Sequence, residues 1–145
     1  MNILTQVREA VWSALEDSSD LMTFIADGRT YKLDAGGYLP ARITKDDCPA
    51  LTVIPAECPV ERFGEGLEEL RSALRVVGYL YTEQAAKAEE FVLLIHDALV
   101  EAAPDLGLSS VRGLTVGALT FAPHFDRVSG YYWEVSLLLQ AVIQQ

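Results

Sequence analysis

The last third of the chain limits the fold more than any other part. Over residues 82–102 apolar side chains recur at helical spacing, at Ala85, Ala88, Val92, Ile95, Leu99 and Ala102, and Pro104 closes the run. Two extended segments follow, 114–121 and 131–143, meeting near 127–130 with few residues to spare. In the second, Tyr131, Trp133, Val135, Leu137, Leu139, Ala141 and Ile143 share one face, and Tyr132, Glu134, Ser136, Leu138, Gln140 and Val142 the other. So large an apolar face needs a cover, which implies an antiparallel pair with helix packed on it.

The rest of the chain supplies the other layers. Val7, Val11, Ala14 and Leu15 form a helical stripe over residues 3–16, with Asn2 or Thr5 as cap. The cluster Asp17, Ser18, Ser19, Asp20 breaks that period and caps a short helix through Leu21, Met22, Phe24 and Ile25. Residues 27–47, with Gly28, Gly36, Gly37 and Pro40, read as one irregular connection. Such length suits either an assembly loop or a surface loop pinned by its own tyrosines. Leu51, Thr52, Val53 and Ile54 read as a strand that Pro55 ends or confines to an edge. Over 67–81 the pattern alternates, with Leu70, Ser72, Leu74, Val76, Gly78 and Leu80 opposed to Arg71, Ala73, Arg75, Val77, Tyr79 and Tyr81. Thr82 is placed to cap the helix at 83–102, with Glu83 at its positive dipole end. The expectation is a single α+β domain over 1–145: a mostly antiparallel sheet of about four strands with two main helices, 3–16 and 83–102, on one face.

Charge and composition exclude several functions. Twenty-one Asp and Glu against 11 Lys and Arg leave a formal charge of -10, with the bases scattered, which argues against gripping a phosphate backbone. The longest apolar run, 91–95, is far below the roughly 18 to 20 residues that span a bilayer. With Arg8 and Glu9 in the first turns and no apolar leader core, no secretory signal is expected, and the chain is expected in a cytoplasm. Half the residues are hydrophobic, enough to fill a core or to share apolar surface with another subunit. Cys48 and Cys58 flank the strand near 51–54, about 20 Å apart at roughly 3.3 Å per residue, too far for a bridge. They are read as reduced thiols at strand ends.

No spacing of Ser, His, Cys or acids matches a catalytic, cofactor or metal template, so no catalytic, cofactor-binding or metal-ligating residue is assigned and enzymatic activity is not expected. His96 and Asp97, adjacent in a helix, are expected to point apart. His124 and Asp126 share one side of an extended segment and read as a solvated hairpin end with local hydrogen bonds. The pairs Glu68 with Glu69 and Glu89 with Glu90 read as solvated faces. Of Tyr131 to Trp133, at least one aromatic must lie on the outer side of the sheet, where it serves a subunit interface or stacks across strands.

In its layout the chain resembles the tail terminator, or minor tail, proteins of long-tailed bacteriophages and prophages: opening helix, strands through 49–56 and 67–82, helix 83–102, closing hairpin 114–143. That resemblance implies a virion structural protein, a homo-hexameric ring that caps the tail tube and offers the surface for head attachment. Its implied partners are itself, the tail tube protein and a head-tail connector, with DNA passing through the lumen without tight binding and no membrane. The implied location is the virion tail, and the host cytoplasm during assembly. The -10 charge would suit such a lumen. Candidate interface residues are Arg29, Tyr31, Tyr38 and Arg42 in the long connection, with Tyr132 on the sheet. The rival readings are another neck or head-tail joining component, and a small dimeric ligand-binding or enzymatic α+β domain with a pocket around His124 and Asp126.

Overall fold

A computed structural model describes residues 2–25, 29–31, 44–64 and 66–145. The elements run α1 (Ile3–Glu16), α2 (Ser19–Ile25), β1 (Arg29–Tyr31), a 3-10 turn (Lys45–Asp47), β2 (Ala50–Glu57), β3 (Val60–Arg62), β4 (Glu68–Tyr81), α3 (Ala85–Val100), β5 (Val111–Asp126) and β6 (Gly130–Gln144). The fold is α+β, as expected from the alternation of long strands with amphipathic helices.

One sheet holds all the described strands, in the order β1-β2-β4-β6-β5, with β3 pairing beside β2 along the same edge of β4. Every pairing is antiparallel except β1 with β2. The expected "about four" strands are the four long ones. The two added members, β1 and β3, have three residues each, too short for alternation to register. β1 lies inside the segment read as wholly irregular, which is thereby corrected.

The caps follow from side-chain chemistry. Asn2 accepts the Thr5 N–H at 2.8 Å, satisfying a free amide of the first turn of α1. The Ser18 hydroxyl accepts from Leu21 N–H at 3.3 Å at the start of α2. At α3 the expected cap moves: Gln84 is the capping residue, and Thr82 instead accepts from Gln84 N–H at 3.1 Å one turn upstream. The helix is correspondingly shorter than 83–102.

All three helices cover the same face. Val7, Val11, Trp12 and Leu15 of α1, Leu21 and Ile25 of α2, and Ala88, Phe91, Val92, Ile95, Ala98 and Leu99 of α3 form one core with strand residues of a single parity. Those are Leu51 and Val53, Leu70, Leu74 and Val76, and Val135, Leu137, Leu139, Ala141 and Ile143. Phe91 is the largest fully buried side chain, its ring 5.0 Å from that of Phe24. Gly78 admits it: a β-carbon there would sit 2.7 Å from the Phe91 ring, so α3 lies close on β4 because that position carries no side chain.

The opposite face carries no helix among the described residues. Thr52, Ala73 and Val77 lie buried on it, apart from the main core, while Arg71, Arg75 and Leu138 are exposed. The two cysteines are free and stand just outside the ends of β2. Burial, followed by the carboxylate of Asp47, pushes the Cys48 thiol up to about 12, so it stays protonated near neutrality.

Candidate functional site

The β5–β6 hairpin carries the most distinctive surface. Its turn, residues 127–129, returns into β6 through Gly130 at φ +89°, a backbone conformation that favours glycine at the end of a three-residue hairpin loop. Asp126 fixes the turn from both sides. One carboxylate oxygen accepts the Val128 N–H at 2.8 Å, and the other accepts the Tyr81 hydroxyl of β4 at 3.1 Å. The loop is thereby tied to a neighbouring strand.

The helical layer stops short of this end. Leu119 and Leu137, paired across the hairpin, pack with the core, but Phe121, Phe125 and Tyr131, further along the same face, are exposed. Phe125 and Tyr131 face each other across the strands with ring centroids 5.0 Å apart, Phe125 being 62% exposed. Val128 at the apex is 84% exposed. Large apolar side chains gathered at one end of a molecule mark a contact surface.

On the open face of the same end, aromatic and acidic groups interleave. Tyr132 sits between Tyr81, 4.9 Å away, and His124, stacked at 4.9 Å. The His124 Nε2 lies 3.8 Å from a Glu134 oxygen. Burial, and then the hydrogen bond and charge of Glu134, push the Tyr79 hydroxyl up to about 12. Burial, and then the hydrogen bond to Asp126, do the same for Tyr81. The hydroxyls of Thr120 and Ser136 hydrogen-bond each other further along. These contacts lock side chains across three strands, and Tyr79 and Tyr81 stay neutral hydrogen-bonding groups at physiological pH. No group of three or more His, Cys, Asp or Glu side chains among the described residues is placed to hold a metal ion.

The structure sorts the residues singled out from the sequence. Tyr132 is the outward aromatic expected from alternation, and it stacks within the monomer. Arg29 and Tyr31 are the first and last residues of β1. Tyr38 and Arg42 lie outside the described residues. His124 and Asp126 share a face, but their partners differ: Asp126 holds the turn and Tyr81, whereas His124 stacks on Tyr132 beside Glu134. His96 and Asp97 do not point apart, since the His96 Nδ1 lies 3.1 Å from an Asp97 oxygen at the helix surface.

The acidic balance is not spread evenly. Residues 2–25 and 82–105, which hold all three helices, carry ten carboxylates against Arg8 and Lys87, a net -8 of the chain's -10. The charge therefore sits on the helical side of the molecule, and the sheet is near neutral.

Neither a protein-family model nor a curated protein matches the sequence. Among solved structures, the fold matches a chain from the "Virion of native gene transfer agent (GTA) particle" at a TM-score of 0.70 and 13% identity. The match covers 100% of both chains. At that identity the likeness is one of fold, carried by the layout of helices and sheet from end to end.

Proposed function

We propose that this chain is a structural protein of a phage-like virion, and within it the tail terminator: a subunit of a six-membered ring that caps the tail tube and receives the head. The observation that carries this reading is the fold shared over the full length with a chain of a gene transfer agent particle. One further feature supports it: the exposed aromatic hairpin end suits a protein that works by contact. In this reading the chain catalyses nothing; it binds copies of itself, the tube and a connector, while DNA passes through the lumen. The near-neutral sheet suits a lining that DNA must slide along, and the acidic helical layer suits a surface that DNA must not grip.

Light scattering after size exclusion, over a wide concentration range, tests the ring. Six copies of 15.9 kDa give a particle of about 95 kDa, expected to grow in with concentration and to appear annular by electron microscopy. A dimer that persists unchanged across the range would overturn the ring.

A further inference from the structure

The two ends of the sheet are both apolar and unlike each other. At one end stands the hairpin tip with Phe125, Val128 and Tyr131. At the other, where β4 begins and β6 ends, Phe63 and Leu67 are exposed, Leu67 by 62%. There they line a groove of about 340 Å³ with Glu68, Glu69, Arg112 and Gln144. Its walls are fixed: Glu68 pairs with Arg62 at 3.3 Å, Glu69 with Arg71 at 2.8 Å, and Arg112 donates to Gln144 at 3.1 Å. β4 runs 14 residues between these ends, about 45 Å at roughly 3.3 Å per residue, so one copy cannot bring its own tip to its own groove.

We propose that the hairpin tip of one copy seats in the groove of the next, with Val128 and Phe125 against Leu67 and Phe63. The inference rests on the ring reading and supplies its contact. Three observations favour a second copy as the occupant. Each surface offers large exposed apolar side chains to the other. Charge agrees: Glu61 of β3, opposite Glu69 of the groove wall, is exposed, and the tip presents exposed Arg127. Asp126 holds the turn in shape before contact, so docking orders little that was loose. A tip-to-groove contact made once per pair leaves a free tip and a free groove, unlike a two-fold pair that seats both tips at once. Such head-to-tail interfaces close into rings when the rotation permits, whereas tip-to-tip pairing stops at two.

The test places a photo-reactive benzoylphenylalanine at position 125, an exposed site, in a mixture of isotopically heavy and light full-length chains. Mixed-isotope products joining position 125 to residues near 63–67 are the expected result. Val128→Asp should raise the concentration for assembly at least tenfold without changing thermal unfolding. Arg127→Glu and Glu61→Arg should each weaken assembly about threefold, and the double swap should restore it. A six-copy particle whose cross-links fall elsewhere overturns this contact and leaves the ring standing. A species that stops at two while cross-linked tip to groove does the reverse. Absence of mixed-isotope products at every concentration, with Val128→Asp behaving as the parent chain, overturns the contact.

Discussion

The two faces of the sheet obey different rules although the same strands build both. On the covered face, side chains of one parity meet three helices and are almost wholly buried, so position and volume decide stability. On the open face, the other parity carries Thr, Ser, Gln, Tyr and Arg, and the interactions are lateral, from strand to strand. The lesson lies in adjacent residues of β6: Leu137 is 1% exposed and Leu138 is 40% exposed, identical in chemistry and opposite in role.

Four substitutions would break or sharpen that contrast, taken from the largest effect downward. Leu137→Ala is expected to cost about 2–5 kcal/mol in chemical denaturation, because it empties space in a close-packed core. Next, Gly78→Ala should cost about 1–3 kcal/mol, since the new carbon would press on Phe91 and Val135, and loss of fixed near-ultraviolet ellipticity would report the disturbed packing. Smaller, and visible only in alkali, is the effect of Tyr79→Phe. Its hydroxyl is raised from 10.0 to about 12 in the folded state. The folded chain therefore holds that proton longer than the unfolded chain, and the stability present below pH 10 is lost as pH climbs through 12. The variant should show a shallower fall of melting temperature with pH across that window. Least of all, Leu138→Ala should stay within about 0.5 kcal/mol of the parent, as befits a surface site. A large loss there would mean that the open face is structurally buried and would erase the contrast.

Much of the fold was legible because its elements are long. A stripe at Val7, Val11 and Leu15 runs through all of α1, and the bounds Ile3–Glu16 match the expected ones. Alternation over residues 67–81 and 131–143 assigned the faces correctly, Gly78 included. Periodicity fails on three-residue strands, so β1 and β3 escaped it. Trp12 was missed as core because it lies on the flank of the stripe, where only the angle of α1 against its neighbours decides burial. The candidate site was less legible. Phe125 and Val128 look ordinary in the sequence, since nothing local says that α3, which starts just beyond β4 at that end, runs back over the sheet and leaves the hairpin tip uncovered. Two of the chosen interface positions, Tyr38 and Arg42, fall outside the described residues, and Tyr132 is occupied with Tyr81 and His124.

The uneven placement of carboxylates makes the molecule an electric dipole, its negative pole on the helices. Two copies drifting together would therefore be turned before they touch: orientations that bring helix to helix are repelled, and those that present sheet or hairpin to a neighbour are spared. At physiological ionic strength this guidance reaches only about 8 Å, so it filters encounters at the last step. Adding salt should widen the set of orientations in which copies meet, and lowering it should make their assembly slower but more selective.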